Sequence, residues 1–432
     1  MSFYIQLASL SIIILYVLLL FRNVDPLVAT AVCVGLGFLW NISTPIDIGN
    51  AMADALGSFM ALVGFIIMLG RGLGEVLTHT QVSHTLVHQI VYGVGVNTQR
   101  RAKIGIVLSS FIIVGLLGTL AGGLAILAPS LRLIAGSVGL SRPSLAVLMQ
   151  ASAEEALILG PFAPPVVTLL GVTGLSYGTV FLYASLPIAI VTLITTWFMA
   201  SRLQKLYINE LCEDENSTEP FTPSRQQKRT TLIFLVSFLF CVVYGLFTQA
   251  KTSYVIFVML FLALITGLSY RLSLKQIFNL LFAGMQKSLH LFFLFILFDP
   301  FMALIHQAGG FNALTEILTP LINLGGKPVL SILIGFTGAF GMPGAAEATI
   351  KMLHQLFSPS VLQMQLPLIT FALCMLFATR VTNYAYPGAN MFAAMGFAGS
   401  ENVKAMIQNG LVVTGVQVAF LIVYSLLIPW HA

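Results

Sequence analysis

The sequence is poor in charged residues. Only 8% of its 432 residues are Asp, Glu, Lys or Arg, whereas 58% are hydrophobic, and soluble globular domains carry roughly a quarter of charged residues. This composition excludes a soluble globular protein. Because a membrane-spanning helix needs about 20 mostly apolar residues, the chain has room for some ten spans with short loops. The sequence therefore predicts an all-α polytopic membrane protein.

Other features are scarce or absent, and each absence disfavours a class of function. The four cysteines show no CxxC or metal-ligand spacing, so they predict inert thiols and no resident metal or cofactor. The chain has no basic run with interleaved aromatic residues, so nothing indicates a nucleic-acid partner. It also has no HExxH or GxSxG motif, which disfavours an intramembrane enzyme. The start of the chain lacks a basic region and a small-residue cleavage site, which favours a retained first span over residues 2–21.

Two polar islands interrupt the apolar chain, about half its length apart. The first covers residues 151–165, ASAEEALILGPFAPP, and the second covers 377–390, FATRVTNYAYPGAN. A membrane segment tolerates such polar and helix-breaking residues only where protein or a water-filled cavity satisfies the freed backbone groups. We therefore expect two discontinuous helices that line a common site, as in transporters built from repeats.

The order of the remaining elements also repeats. Glycine-broken segments precede both islands, at 103–134 and 329–357, and each predicts a re-entrant hairpin. The sequence thus predicts two inverted repeats, each of about five spanning helices plus a re-entrant hairpin and a broken helix. We expect a first transmembrane repeat at 1–203, a cytoplasmic linker at 204–229 and a second transmembrane repeat at 230–432.

The distribution of Lys and Arg predicts the orientation. With the N-terminus outside, only Lys251, Lys327 and Lys351 fall in outer segments, and the other basic loop residues are cytoplasmic. The excess of positive charge on one side favours periplasmic N- and C-termini.

Carboxylates in the islands are the candidate ion-coupling groups. Glu154 and Glu155 lie in an apolar segment where a charge costs several kcal/mol, so we expect them to face a cavity or to be protonated. Adjacent residues point about 100° apart on a helix, so the two carboxylates should have different roles. Glu347, near the second hairpin tip, is another candidate carrier of H+ or Na+. A structural ion-pair network is the alternative for the glutamates.

Arg380 occupies the place in the second island that Glu154 occupies in the first. Its guanidinium suits bidentate capture of a carboxylate, either from a substrate or from one of the glutamates. The surrounding oxygen and amide groups predict contacts to a hydroxylated ligand or to Na+, with Na+ placed at Thr382 and Asn383. The alternative for the hydroxyls is a bond to a helix carbonyl. These candidate substrate-binding residues are Arg380, Thr379, Thr382, Asn383, Asn390 and Ser152.

The hairpin tips complete the predicted substrate site. Glycine-rich tips bring helix ends and exposed backbone to the middle of the membrane, where N-termini attract anions and free carbonyls attract cations. The candidates there are Gly118, Thr119, Gly341 and Gly344.

A further pair of charges lies in the spans that precede the hairpins. Arg71 and Glu75 are spaced i, i+4, and we expect them to pair with each other. Asp299, at the repeat-equivalent place to Arg71, has no such local partner and is a fourth ion-coupling candidate. Alternatively, Pro300 marks a kink whose free backbone groups are bonded by the Asp299 carboxylate.

Three stretches resemble the ion transporter superfamily, and within it the gluconate permease family and related sodium/proton antiporter-type and predicted amino-acid transporter families. They are LVGFIIMLGRGLGEVL at 62–77, LILGPFAPPVV at 157–167 and TRVTNYAYPGAN at 379–390. The resemblance implies a secondary transporter of a bacterial inner membrane, in which a mobile domain moves against a dimeric scaffold.

The same resemblance implies H+- or Na+-coupled symport of a small carboxylate. The histidine that precedes the Pro-rich break in sugar-acid carriers is absent, since Glu154, Glu155 and Ala156 stand there, which disfavours gluconate. An amino acid is the favoured class. A sodium/proton antiporter, in which the same glutamates exchange the two ions, is the alternative.

Overall fold

The chain is described by a computed structural model, which covers residues 3–22, 24–95, 97–212, 221–338 and 346–427. Within these ranges the elements are helices, including one π-helical turn at Phe181–Ser185. Nine helices in the described ranges are long and apolar enough to cross a membrane. The prediction of an all-α polytopic membrane protein is confirmed.

The first half contains twelve α-helices. They are α1 Phe3–Ser9, α2 Ser11–Phe21, α3 Pro26–Trp40, α4 Pro45–Leu56, α5 Phe59–His79, α6 Val82–Val94, α7 Gln99–Leu117, α8 Leu120–Ser137, α9 Arg142–Leu159, α10 Pro164–Thr173, α11 Tyr177–Val180 and α12 Leu186–Leu206.

The second half repeats this order. Its helices are α13 Arg225–Phe247, α14 Tyr254–Ser269, α15 Leu274–Gln286, α16 Leu289–Gln307, α17 Gly310–Thr337, α18 Ala346–Gln363, α19 Leu368–Ala385, α20 Ala389–Ala398 and α21 Val403–Leu427. Helix α17 is kinked at Gly326, whose backbone has φ 62° and ψ −150°, so it corresponds to α6 and α7 joined end to end.

Matched helices share length and partners. Helices α8 and α18 both have 18 residues, as do α9 and α19, and α10 and α20 both have 10. Helix α20 packs against α8, and reciprocally α10 packs against α18; likewise α3 packs against α16 and α14 against α5. Such exchange of partners is what a two-fold relation between two repeats produces.

The helices form two packed groups. In one, which we call the scaffold, α5 packs against α14, α15 and α16. Helices α5 and α15 approach backbone to backbone, because a Cβ on Gly72 would lie 2.7 Å from the Leu281 carbonyl oxygen and a Cβ on Gly284 would collide with the Arg71 carbonyl. The other group, the hairpin group, joins α7–α10 and α12 to α18–α21.

The glycine break predicted at 103–134 is a tight turn between α7 and α8. Gly118 adopts φ 65° and its N–H donates to the Val114 carbonyl, which ends α7, and glycine favours this left-handed conformation because it lacks a Cβ. The part of α17 that precedes the kink at Gly326 corresponds to α6. The division at 203 and 229 stays a prediction, with α12 extending to Leu206 and α13 beginning at Arg225.

One predicted contact in the scaffold is wrong. Glu75 bonds to Lys287 across the two halves, at 2.5 Å, instead of to Arg71 one helical turn away. The spacing rule considers only one helix, whereas close packing of α5 on α15 brings a better-placed cation from the second half.

Candidate functional site

Two helix breaks at matched positions build the site. Helix α9 ends at Leu159, before Gly160, and α10 begins with Pro164 and Pro165. Helix α19 ends at Ala385, and α20 begins after Gly388. Proline starts a helix readily because it lacks the N–H that would have no partner there. The breaks therefore follow from Pro and Gly at the ends of the two polar islands.

Glu154 is the centre of a buried network. Its Oε2 accepts from Arg380 Nη1 at 3.0 Å and from Asn383 Nδ2 at 2.7 Å, and its Oε1 accepts from Asn390 Nδ2 at 2.8 Å. Neither Glu154 nor Arg380 is exposed to solvent. The network ties α9 of the first half to α19 and α20 of the second, as the paired islands predict.

Arg380 makes further bonds that fix its plane. Nη1 also donates to the Glu154 carbonyl oxygen at 3.0 Å, and both Nε and Nη2 donate to Thr379 Oγ1. The Thr379 hydroxyl in turn donates to the Leu376 carbonyl. Of the two predicted partners for Arg380, a substrate carboxylate or a glutamate, the structure has the glutamate. A substrate contact of Arg380 stays a prediction.

Glu155 faces a different set of helices. Its Oε1 accepts from the Tyr384 hydroxyl at 3.0 Å, and the Thr192 hydroxyl of α12 also lies within reach. Thr192 in turn accepts from Gln417 Nε2 of α21 at 2.6 Å. Glu155 Oε2 and Gln417 Oε1 are buried and have no hydrogen-bond partner within the described residues. The two adjacent carboxylates thus contact different partners, as their angular separation requires.

Glu347 adds a third carboxylate to this region. It lies in the first turn of α18 with 8% exposure, and it interacts electrostatically with Arg380 and Glu154. The predicted tip residues Gly341 and Gly344 lie outside the described residues. The tip of hairpin 1, the hairpin formed by α7 and α8, lies within the described residues. A Cβ placed on Gly118 would be 3.3 Å from Pro164 Cδ, so this tip contacts the break between α9 and α10.

Three predicted site residues remain, Ser152, Asp299 and Thr382. Ser152 donates to the Leu148 carbonyl at 2.6 Å, which is the alternative foreseen for its hydroxyl. Asp299 forms an ion pair with Lys351 of α18, which ties α16 to hairpin 2 (the second part of α17 with α18). The side chain of Thr382 lies outside the described part of the chain. The ligand roles of all these residues stay predictions.

Several buried contacts were not foreseen from the sequence. Tyr384 was counted within the second island but given no role, although it is fully buried and bonds Glu155. The charge distribution predicts Lys351 in an outer segment, whereas the structure has it in α18. Its spacing of four residues from Glu347 could have indicated that the two share a helix. Thr192 and Gln417 lie in uninterrupted spans, where sequence offers no sign of a polar contact between α12 and α21.

A cavity of about 740 Å³ lies beside this site, between the scaffold and α10. Its walls come from Phe59 of α5, Gly171 of α10, and Gly245 and Tyr254 of the two helices that begin the second half. Lys251 lies at its edge. None of the three buried glutamates lines it, so the cavity and the acidic network are separate.

The acidic residues do not form a site of the kind that binds transition-metal ions. Within the described ranges no group of three or more His, Cys, Asp or Glu side chains could hold a metal ion. The Glu154 carboxylate is instead contacted by N–H donors, from Arg380, Asn383 and Asn390.

Comparison with known proteins adds three findings. The family model described as "Tripartite ATP-independent periplasmic transporter, DctM component" matches residues 12–430. The crystal structure of the YdaH transporter of Alcanivorax borkumensis is similar in fold, with a TM-score of 0.57 and 16% identity over 88% of this chain and 89% of that chain. No curated protein matches the chain.

The family match corrects the resemblance inferred from short motifs. The matching model covers nearly the whole chain and describes the DctM component, whereas gluconate permeases and sodium/proton antiporters are not the family found. Broken helices, hairpins and Pro-rich breaks are common to several transporter families with inverted repeats. The three motifs therefore indicated the architecture but not the family.

Proposed function

Since this chain belongs to the DctM family of tripartite ATP-independent periplasmic transporters, we propose that it is a secondary transporter that carries a small carboxylate with a coupling cation. The observation that carries the proposal is the imbalance of buried charge around the helix breaks. Three carboxylates, Glu154, Glu155 and Glu347, lie there with exposures of 0%, 0% and 8%, and among the described residues only the guanidinium of Arg380 forms an ion pair with one of them.

This imbalance requires cations. Buried ions are costly unless they are paired, so a region with more carboxylates than guanidinium groups is stable only when protons or other cations balance it. Glu154 is already neutralised by Arg380, which leaves Glu155 and Glu347 as the groups that take up H+ or Na+. Asn383 and Asn390 direct their Nδ2 groups at Glu154, and Na+ at Thr382 and Asn383 stays a prediction. A coupling ion that binds and leaves with the substrate meets the electrostatic demand of the site.

The same imbalance favours an amino acid as the substrate class. An ammonium group can satisfy a glutamate that no protein cation reaches, while a guanidinium takes the carboxylate end. A simple monocarboxylate would add negative charge to a region already rich in it. We therefore favour a zwitterion over a sugar acid or a plain carboxylic acid.

The two packed groups supply a route for movement. The hairpin group carries all three glutamates and Arg380, and it meets the scaffold along α5 and α10. In our proposal the hairpin group moves against the scaffold with the substrate bound, in a bacterial inner membrane with both termini periplasmic. The tripartite description of the family supports further protein components as partners, and a homodimer through the scaffold stays a prediction.

Thermal stabilisation of the purified protein tests this function. A ligand that binds only the native state stabilises it by an amount that grows with the logarithm of its concentration over Kd. We would compare L-alanine, L-glutamate, succinate and D-lactate, each with Na+ or K+ and at two pH values. A shift with L-alanine or L-glutamate that grows with Na+ or with acid supports the proposal. A shift with Na+ alone, or with none of the four compounds under any condition, overturns it.

A further inference from the structure

Arg71 is a half-buried cation that has no counter-charge among the described residues. It lies in the middle of α5, and its Nε atom is buried with no hydrogen-bond partner. Glu75, the acid that its spacing predicts as a partner, bonds to Lys287 instead. An unpaired arginine in a spanning helix is energetically costly. An anion that arrives during the working cycle would offset this cost.

Acids on the helices that pack against α5 do not reach Arg71. Helix α4 carries Asp47, which caps its own helix through Thr44, and Asp54; helix α16 carries Asp299, which pairs with Lys351. Helices α7, α8, α10, α14 and α15 contain no Asp or Glu. Within the described part of the chain, therefore, the Arg71 guanidinium meets no carboxylate.

The guanidinium lies against the tip of hairpin 1. A Cβ placed on Gly122 would be 3.3 Å from Arg71 Nη1 and 2.7 Å from Thr119 Oγ1. Both polar groups thus face the point that a side chain at 122 would occupy. Thr119 makes no side-chain bond to the first turn of α8, so its hydroxyl does not cap that helix. The absence of a side chain at 122 lets the Arg71 guanidinium and the Thr119 hydroxyl lie close to each other at the hairpin tip.

This point adjoins the broken helix. Gly118, one residue before Thr119, lies against Pro164 at the start of α10, and α5 itself packs against α10. Close packing of Gly72 and Gly284 holds the Arg71 backbone in a fixed position on the scaffold. The guanidinium is therefore a fixed group that the hairpin tip and helix break approach from the other side.

We propose that Arg71 binds the carboxylate of the transported substrate, with the Thr119 hydroxyl as a second donor. This inference rests on the proposed function and places one contact of the substrate on the scaffold instead of on the hairpin group. Arg380, held by Glu154 and Thr379, then orders the acidic network, while Arg71 offers its planar fork to the ligand. Movement of the hairpin group away from Arg71 breaks the contact and so couples release of the substrate to the motion.

Binding to Arg71 variants tests the assignment. With L-alanine, L-glutamate, succinate and D-lactate as probes, Arg71→Ala should raise the Kd of each compound that stabilises the wild type by roughly ten- to a hundredfold, because a charge-assisted bidentate contact is lost. Arg71→Lys should bind with intermediate Kd, since it keeps the charge but not the fork. Glu75→Gln, one turn away on the same helix, is the matched control and should bind as the wild type does.

A second variant keeps the test decisive if Arg71→Ala does not fold. Gly122→Ala fills the point between Arg71 and Thr119 while both side chains remain, and we expect weaker binding of the same probes. A wild-type Kd in Arg71→Ala, or in Gly122→Ala if Arg71→Ala does not fold, overturns this inference alone. Failure of the wild type to respond to any of the four compounds is instead the result that overturns the proposed function.

Discussion

The two halves carry opposite charges at matched places, and they do so twice. Helices α9 and α19 are both 18 residues long, with Glu154 and Arg380 at the same place in each. In the scaffold, Arg71 of α5 corresponds to Asp299 of α16. Glu154 and Arg380 pair across the halves. Asp299 pairs with Lys351 of the hairpin in its own half, whereas Arg71 has no ionic partner among the described residues. A symmetric architecture thus contains an asymmetric arrangement of charge.

The difference distinguishes structural from functional charges. A pair in which both charges are satisfied stabilises one arrangement of helices, while an unpaired charge destabilises the empty state and favours a ligand. Residues held for function commonly reduce stability in this way. The four predictions below, from the largest expected effect to the smallest, test this division.

The pair across the halves should show the largest effect on stability. Arg380→Ala leaves Glu154 buried and short of its cation, and removal of one partner of a buried pair costs about 3–5 kcal/mol. Chemical unfolding of the purified protein measures the loss. The double variant Arg380→Ala with Glu154→Gln should recover part of it, because no uncompensated charge remains. Equal, small losses in all variants would contradict a buried pair.

Glu154 and Glu155 should differ although they are neighbours. Glu154→Gln leaves Arg380 unpaired and should lower the free energy of unfolding by several kcal/mol. Glu155→Gln keeps an acceptor for Tyr384 and should change stability by less than about 1 kcal/mol, while the dependence of ligand binding on Na+ or pH is lost. Unfolding and thermal-shift measurements at two pH values separate these outcomes, and identical behaviour of the two variants would count against distinct roles.

In the scaffold, substitution of the two matched charges, Asp299 and Arg71, should affect stability differently. Asp299→Asn removes the ionic partner of Lys351. The side chains of Asp299 and Lys351 are 30% and 12% exposed, so the free energy of unfolding should fall by an amount between those of exposed and buried pairs, roughly 1–2 kcal/mol. Arg71→Gln removes an unpaired charge and should leave the melting temperature unchanged or higher. A lower melting temperature for Arg71→Gln than for Asp299→Asn would remove the distinction between the halves.

The smallest effect concerns the matched surface helices α4 and α15. Thr44 donates its hydroxyl and backbone N–H to Asp47 at the start of α4, and these bonds lower the pKa of that carboxyl. The stabilisation is present above the unfolded pKa, about 3.9, and is lost as the pH falls through the lower folded value. The equivalent cap of α15 uses Ser273 and Gln276, which do not titrate.

Hydrogen exchange can detect this difference. Below about pH 4 the protection factors of the first-turn amides of α4 should fall, while those of α15 should not. Asp47→Asn should give α4 the insensitivity to pH of α15. Equal acid sensitivity of both helices in the wild type would show that the caps do not control it.

Much of the architecture could be predicted because membrane composition constrains it strongly. Scarce charge predicted spanning helices, and Pro-Gly breaks inside polar islands predicted the ends of α9 and α19 within a few residues. The family could not be predicted from these signals, since the same breaks serve several families. Glu154 and Arg380 could be singled out because buried charges are rare, and their matched places indicated a common site.

Partners of the charged groups were harder to predict. Pairing of Arg71 with Glu75 follows from helix spacing, but the choice of Lys287 depends on close approach of α5 and α15 at Gly72 and Gly284. Such contacts join residues far apart in the chain, where sequence periodicity carries no information. Lys351 and Tyr384 were missed for the same reason.

The bond between Glu154 and Arg380 also bears on how the chain is made. The two residues are 226 positions apart, so at about 5–20 residues per second the ribosome needs roughly 10–45 s between them. During that interval the first half enters the membrane with its acids present and their guanidinium not yet synthesised. Nascent chains halted before residue 380 should therefore stay open to proteases, and completion of α19 is the step that locks both halves together.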